Sequence, residues 1–243
     1  MTIRIFEVGG SIRDELMGIS NPPDRDFCAE SPEGWEALLA WSQNNLKRIF
    51  LVTHEFFTIR GMAHTGEAID IVMCRRDGTS SDGRHPDAVT PGSLEDDLRR
   101  RDFTINAIAR EVDPKTLSPI GKIIDLFGGE QDIKDKVLRT VGEPTDRFEE
   151  DGLRILRAAR FCVTKGVAPE PAVRAALMSH HWWGWVAKTV SEDRIRVELH
   201  KMFKHNTADA IRFLVTDCAI EATTMLFGRS GSNLWLKPTL EKK

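Results

Sequence analysis

The sequence lacks the features that would direct a protein to a membrane or to secretion. It contains no stretch of about 18 consecutive apolar residues and no signal-peptide pattern. Cysteine is scarce, and no two cysteines have the CxxC spacing of a zinc or redox site. The four are Cys28, Cys74, Cys162 and Cys218. We therefore expect a cytoplasmic protein without membrane association, whose reduced cysteines are structural.

A surplus of positive charge is also lacking. The net charge of -3 over 243 residues would, on average, disfavour nucleic acid. Basic residues are nevertheless concentrated locally, in Arg99–Arg101 and in the series Arg154, Arg157 and Arg160. These stripes could face an anion, so the sequence does not exclude a nucleic-acid or nucleotide partner.

Two aspartates separated by one residue are the most informative feature. Asp24 and Asp26 lie in a segment that predicts a strand over 24–28. Because side chains alternate along a strand, both carboxylates would face the same side. Two adjacent carboxylates favour a shared divalent cation, and Mg²⁺ combines one or two carboxylates with waters and substrate phosphates. The pair predicts metal-dependent chemistry on a nucleotide, although a lone DxD is more often a solvated loop or a helix cap.

A glycine pair lies shortly before these aspartates. Gly9 and Gly10 follow a strand predicted over 3–8 and precede a helix predicted over 12–17. Glycine lets the backbone approach a phosphate closely, and the start of a helix directs its N–H groups at an anion. Arg13 would add a guanidinium there. Such a pair alone is more often an ordinary turn, but its position before the DxD sequence favours a phosphate-binding role.

The pattern along the chain changes near residue 140. Before it, β-branched and aromatic runs predict strands, and helical spacing predicts helices. The strands are 3–8, 24–28, 49–53, 56–60, 68–73 and 123–127, and the helices include 34–46 and one from Ser93 to about Arg110. Between residues 75 and 92, glycine, proline and charge predict a long mobile loop, and loops of this length are usually functional.

After Pro144 the pattern is helical throughout. Helices are predicted over 146–164, 169–180, 191–204 and 207–220. No internal repeat is present. We therefore expect a mixed α+β domain over residues 1–143, followed by an all-helical domain over 144–243.

Five ordered segments carry a resemblance to a known family. They are VGGSIRD (8–14), DRD (24–26), RRDFTINA (100–107), DLFGG (125–129) and EDGLRILRAARF (150–161). Together they resemble the class II tRNA nucleotidyltransferases, or CCA-adding enzymes, and the bacterial poly(A) polymerases. The resemblance implies a polymerase-β-like nucleotidyltransferase head domain followed by a helical neck. Because family members commonly continue further than Lys243, it also implies a shortened body.

The resemblance implies template-independent addition of CMP and AMP to the 3' end of tRNA, with Mg²⁺ as cofactor and ATP and CTP as substrates. Asp24 and Asp26 match the metal ligands, and Asp70 lies where the superfamily has a third carboxylate. The nucleotide-binding positions are Gly10, Arg13, Arg101, Asp151, Arg154, Arg157 and Arg160. For the last three arginines a solvated helix face is the alternative, and Asp102 and Asn106 could instead support the fold.

Asp151 and Arg154 match the family's base-reading positions. Lying three apart on a predicted helix, they offer one acceptor and one donor on the same face. Cytosine and adenine each present an amino donor beside a ring-nitrogen acceptor, which this pair complements, whereas uracil and guanine present the reverse order. The alternative is that Asp151 counters the helix dipole and Arg154 pairs with Glu150.

Other functions remain open at this point. A poly(A) polymerase acting on other RNA 3' ends shares the head motifs, and a non-catalytic nucleotide- or RNA-binding relative would share the fold. The tryptophans at 182, 183 and 185 could mark a partner-binding protein, but packing between helices is the favoured interpretation.

Overall fold

The computed structural model describes residues 3–19, 25–77 and 89–227. These residues form two compact units. The first comprises the described residues up to 77 and from 89 to Lys134, and the second begins at Asp135. No helix in the described ranges is long and apolar enough to cross a membrane.

The first unit is built on a seven-stranded mixed sheet. In chain order its elements are β1 (Arg4–Val8), α1 (Gly10–Leu16), β2 (Asp26–Glu30), α2 (Trp35–Asn45), β3 (Arg48–Thr53), β4 (Thr58–Met62), β5 (Ala68–Met73), β6 (Arg75–Asp77), β7 (Val89–Pro91), α3 (Leu94–Arg99), β8 (Ile108–Val112), β9 (Pro119–Asp125) and α4 (Gly129–Asp135). The strand order is β3-β4-β5-β2-β1-β8-β9. Only β2 and β5 pair in parallel within this sheet.

The sheet buries one face against α2. On β5 the buried residues Ile69, Ile71 and Met73 alternate with partly exposed ones, and Leu38 of α2 joins the same apolar cluster. This alternation follows from the period of two along a strand. It leaves Asp70, between Ile69 and Ile71, on the opposite face.

The second unit is almost entirely helical. Its elements are β10 (Val137–Leu138), α5 (Pro144–Glu150), α6 (Leu153–Lys165), β11 (Ala168–Pro169), α7 (Pro171–Leu177), α8 (His180–Thr189), α9 (Glu192–His205), α10 (Thr207–Thr216) and α11 (Ile220–Phe227). Trp182 and Trp183 are buried, and the Trp183 indole N–H donates to the Leu177 carbonyl at 2.7 Å. The packing interpretation of these two tryptophans is confirmed.

The helix expected from Ser93 to about Arg110 is wrong in its second half. α3 ends at Arg99, a short 3₁₀ turn covers Thr104–Asn106, and β8 then pairs with β1 in the sheet. The Asp102 carboxylate accepts the N–H of Phe103 at 2.9 Å, which stabilises a bend instead of a further helical turn. Strand pairing with β1 overrides the local helical spacing.

The helix expected over 146–164 is divided in two. Asp151 is extended, with φ -151° and ψ 105°, and its carboxylate accepts the N–H of Leu153 at 3.0 Å, so the chain bends between α5 and α6. Gly152 allows close packing at the bend, since a Cβ there would lie 2.7 Å from Thr189 Oγ1.

The predicted loop over 75–92 has ordered ends. β6 and β7 pair as an antiparallel two-stranded ribbon. The centre of the predicted loop lies outside the described residues, so its expected mobility stays a prediction.

Candidate active site

Two carboxylates face each other across the parallel strands of the first unit. Asp26 of β2 and Asp70 of β5 are direct register partners. Both lie on the face of the sheet opposite the apolar core, because Phe27 and Ile71, the next residue along each strand, are buried. Asp26 is exposed and the Asp70 side chain is 33% exposed, so both reach solvent. Asp24, the other predicted metal ligand, lies outside the described residues.

Arg60 of β4 completes this row of charges. It is the register partner of Asp70 on the other side of β5. Its Nε donates to Asp70 Oδ1 at 2.6 Å and its Nη2 to Oδ2 at 2.5 Å. These hydrogen bonds, together with the charge of Asp70, raise the pKa of Arg60. No sequence motif selects Arg60, because its contact with Asp70 depends on which strands are neighbours in the sheet.

The donor set of this row suits a divalent cation. Asp26 and Asp70 supply anionic oxygens from adjacent strands about 4.8 Å apart, and oxygen ligands are what Mg²⁺ prefers. In this structure the guanidinium of Arg60 balances the charge of Asp70. Within the described ranges, which omit Asp24, no group of three or more potential ligand side chains converges.

The glycine pair lies where β1 meets α1. Gly9 has a φ of +80°, a conformation that favours glycine, and α1 begins at Gly10. A Cβ on Gly9 would lie 2.9 Å from Arg101 Nη1. The absence of side chains therefore lets the backbone approach Arg101, one of the predicted nucleotide-binding residues. A Cβ on Gly10 would lie 3.4 Å from Arg13 Nη2.

Arg13 is buried and held by a chain of hydrogen bonds. Its Nε donates to Asp14 Oδ1 at 2.8 Å, and its Nη1 donates to Asn106 Oδ1. The Asn106 amide in turn donates to Asp102 Oδ1 at 3.0 Å. Asp102 and Asn106 thus support the position of Arg13, which agrees with the supporting role considered for them.

Arg101 is fixed by a buried carboxylate. Its Nη2 donates to Asp97 Oδ2 at 3.1 Å, and Arg100 binds the other oxygen of Asp97 at 2.6 Å. Burial would raise the pKa of Asp97, but the positive charges of Arg101 and Arg100 outweigh it and lower that pKa. The ion pair orients the Arg101 guanidinium against the Gly9 backbone.

The DLFGG segment supports the Thr104–Asn106 turn. The Asp125 carboxylate accepts the N–H groups of Gly129 and Glu130 at 2.9 and 2.8 Å, which caps α4. A Cβ on Gly129 would lie only 2.2 Å from the Thr104 carbonyl oxygen. The close approach of α4 to the Thr104–Asn106 turn therefore requires glycine, and it explains this segment as structural support for the site.

In the second unit, each of the two proposed base-reading residues has an ionic partner. Arg194 of α9 donates to both oxygens of Asp151, with Nη1 to Oδ1 at 3.3 Å and Nη2 to Oδ2 at 2.8 Å. Arg154 Nη1 donates to Glu150 Oε2 at 2.7 Å. The Arg154–Glu150 contact is the one considered as the alternative to base reading. The partner of Asp151, Arg194, was not foreseen.

The two remaining predicted arginines lie on the same face of α6. The guanidinium carbons of Arg157 and Arg160 lie 5.4 and 4.1 Å from the centroid of the Phe161 ring. Arg160 also donates through Nε to Glu198 of α9, and both side chains are nearly buried. This pairing gives Arg160 a packing role between α6 and α9, and a nucleotide-binding role for it stays a prediction.

A mixed sheet that places paired carboxylates and a glycine turn with ion-paired arginines in one unit is the arrangement of a nucleotidyltransferase head domain. The family model described as the poly A polymerase head domain matches residues 5–139. The chain belongs to this poly(A) polymerase head domain family.

Individual relatives agree with this assignment. The chain is 36% identical over 199 residues to the CCA-adding enzyme of Lactobacillus helveticus. The aligned region covers 81% of this chain and 45% of the relative. A Bacillus stearothermophilus CCA-adding enzyme in complex with CTP superposes with a TM-score of 0.66 at 33% identity, covering 83% of this chain and 44% of that one.

A third similar protein is the Thermotoga maritima CCA-adding enzyme complexed with tRNA_CCA. It superposes with a TM-score of 0.69 at 29% identity and covers 93% of this chain and 48% of that one. The chain thus spans about half the length of the relatives it matches.

Proposed function

We propose that this chain catalyses template-independent addition of CMP and AMP to the 3' end of tRNA, in CCA addition or repair. The observation that carries the proposal is the register pairing of Asp26 with Asp70, both of which reach solvent. It is supported by relatives named CCA-adding enzymes, one bound to CTP and another to tRNA_CCA. Residues 1–143 would form the catalytic head, and residues 144–243 the neck and shortened body.

The proposed cofactor is Mg²⁺, held by Asp24 and Asp26 with Asp70 as a third ligand. A bound divalent cation makes the RNA 3'-hydroxyl more acidic and neutralises phosphate charge. Gly10, Arg13 and Arg101 would bind the triphosphate, since the glycine turn and the two fixed guanidiniums are near one another in the same unit. Arg157 and Arg160 are proposed to contribute further positive charge.

Selection of C and A over U and G is proposed to rest on Asp151 and Arg154. Three hydrogen bonds, from Arg194 and from the Leu153 N–H, fix the Asp151 carboxylate. A carboxylate has about four acceptor positions, so capacity for a base amino group is left. A fixed acceptor loses little entropy when it binds a base, which favours discrimination by shape and polarity.

A product ladder tests this proposal. The chain would be incubated with tRNA ending before C74, with tRNA ending after C75 and with an unrelated oligonucleotide, supplying CTP and ATP separately. CCA addition gives two C residues on the first tRNA and one A on the second. A long run of A on the unrelated oligonucleotide would instead indicate the poly(A) polymerase that shares the head motifs.

A cytoplasmic location is part of the proposal, and cell fractionation tests it.

A carboxylate variant tests whether the chain is an enzyme at all. Replacing Asp26 by Asn, or Asp24 by Ala, removes a proposed metal ligand, and nucleotide addition should fall at least about a hundredfold. Glu55→Gln is the control, because Glu55 is an exposed carboxylate of the same unit outside the site. Retention of more than a few per cent of activity by folded Asp26→Asn protein contradicts the assignment, and a non-catalytic nucleotide-binding relative then becomes the better description.

A further inference from the structure

Arg60 is the member of the charge row to which the proposed function gives no role. It lies on β4 as the register partner of Asp70, which is itself the register partner of Asp26. Its guanidinium binds both Asp70 oxygens, at 2.6 and 2.5 Å. The side chains are 57% and 33% exposed, so the pair is formed at the surface of the sheet.

In this position Arg60 disfavours the binding of a metal ion to Asp70. A cation bound by Asp70 needs at least one carboxylate oxygen, and each of the two already accepts an N–H of Arg60, so a cation would be limited to the lone pairs left beside the guanidinium. A dication beside the guanidinium would also be repelled by its charge. Because both side chains reach solvent, water screens the ion pair, which is therefore weak enough to open.

We propose that Arg60 competes with the divalent cation for Asp70. While the cation is absent, Arg60 binds one lone pair of each oxygen of this carboxylate, and it turns away when Asp70 binds the cation. The inference rests on the proposed function, because it takes Asp70 as part of the metal site. It predicts that the protein without nucleotide binds the cation more weakly than its carboxylates alone would allow.

Binding of Mn²⁺ to the full chain without nucleotide tests the inference, with free Mn²⁺ followed by electron paramagnetic resonance. Arg60→Gln should lower the Kd about three- to fivefold, since the strength of an exposed ion pair accounts for a factor of up to about five. Arg60→Lys, which keeps the charge but not the two-point contact, should lower it less. In an Asp70→Asn background, Arg60→Gln should change the Kd by less than about twofold.

Arg48→Gln is the matched control for charge alone. Arg48 lies on the neighbouring edge strand β3, and its guanidinium carbon is 5.5 Å from the centroid of the Phe50 ring. Measured in 0.15 M salt, where the Debye length is about 8 Å, this variant should leave the Kd unchanged. As a direct readout, the Arg60 Nε–H resonance should shift when Mg²⁺ is added to the wild-type protein, because the contact with Asp70 opens.

The outcomes separate the inference from the proposed function. An unchanged or higher Kd in Arg60→Gln, or an equal decrease in Arg48→Gln, overturns the competition by Arg60 but leaves Asp26 as a metal ligand. If Mn²⁺ binding is the same in Asp26→Asn as in the wild type, the metal assignment itself is wrong, and the inference is overturned with it.

Discussion

Asp151 and Arg194 form a two-point ion pair that joins the α5–α6 bend to α9, with oxygen–nitrogen distances of 3.3 and 2.8 Å. The residues are 43 positions apart in the sequence, and both side chains are only partly exposed. One contact therefore fixes the orientation of the residue that we propose reads the base.

The first prediction follows from this pair. Asp151→Ala should raise the incorporation of UMP or GMP relative to CMP at least several-fold, since a good two-point base contact is worth about 1–3 kcal/mol. Arg194→Met should shift the ratio in the same direction but less, because the carboxylate remains and only its orientation is lost. Single-nucleotide addition to tRNA with each of the four nucleotides measures the ratios.

The control for Arg194 is on the same helix. Arg196 pairs with Asp193 at 2.6 Å within α9, so Arg196→Met removes a similar charge without affecting Asp151. Its nucleotide ratios should equal those of the wild type. Unchanged ratios in folded Asp151→Ala protein would show that Asp151 only stabilises the bend.

The second prediction concerns Gly9. Gly9→Ala should raise the KM for CTP about tenfold or more, because the new Cβ, 2.9 Å from Arg101 Nη1, displaces a proposed triphosphate ligand. Gly18→Ala is the matched control. Gly18 also has a positive φ, +73°, but a Cβ there meets no atom of the described chain within 4 Å.

In urea unfolding Gly9→Ala should be the less stable of the two, because at φ 80° and ψ -124° the Gly9 backbone lies outside the left-handed region that other residues can adopt. Only Gly9→Ala should affect nucleotide binding. An equal KM in the two variants would argue against a triphosphate contact by Arg101.

The third prediction concerns the neighbouring glycines of the DLFGG segment. Gly129→Ala should destabilise the protein by about 3 kcal/mol or more, because the Cβ would lie 2.2 Å from a backbone oxygen that cannot easily move. Gly128→Ala should cost only about 1–2 kcal/mol, for its φ of +79°, since among described atoms nothing lies within 4 Å of a Cβ there. If thermal or urea unfolding shows a comparable loss of stability in the two variants, this account of Gly129 is contradicted.

The fourth prediction concerns pH. Glu7 is buried and receives hydrogen bonds from Arg25, at 3.1 Å, and from Arg110, at 3.1 Å. Burial raises the pKa of Glu7, but the hydrogen bonds and positive charges outweigh it, and the pKa is lowered from its ordinary value of 4.5. Its contribution to the free energy of unfolding is therefore present above about pH 4.5 and is lost as the pH falls through the lowered value.

Glu7→Gln should accordingly destabilise the protein by about 3 kcal/mol at pH 7, with a smaller difference from the wild type at acidic pH. Urea unfolding at a series of pH values measures both effects. Glu15→Gln is the control, because Glu15 binds the same Arg110 at 2.8 Å with a side chain that is 52% exposed. It should cost less than about 1 kcal/mol, and an equal cost for the two variants would contradict the importance of burial.

Local patterns in the sequence predicted the elements whose environment is simple. β5 was predicted at its observed bounds, because buried Ile69, Ile71 and Met73 alternate strictly with residues of the other face. The helix expected to reach Arg110 was wrong because β8 is selected by pairing with β1, which no local spacing reveals.

The sequence motifs select candidate site residues but not the charged partners of those residues. Arg13, Arg101 and Asp26 could be selected because they stand in recognisable segments. Arg60 and Arg194 could not, since they meet Asp70 and Asp151 only through a hairpin and a helix packing. Charge partners ten and 43 residues apart are a property of the tertiary structure.

The parallel pairing of β2 with β5 has a consequence for how such a site can evolve. The separation of Asp26 and Asp70 is set by the backbones of two neighbouring strands. Insertions in the loops of the 31–67 segment can therefore lengthen that segment without moving either carboxylate. On β5 a carboxylate can change position only in steps of two residues, and on β2 a step of two within the strand reaches Cys28, which is buried. A step of one would place a charge at Phe27 or Ile71, inside the apolar core. Descendants of this sequence that keep the chemistry must therefore keep each carboxylate on the same face of its strand.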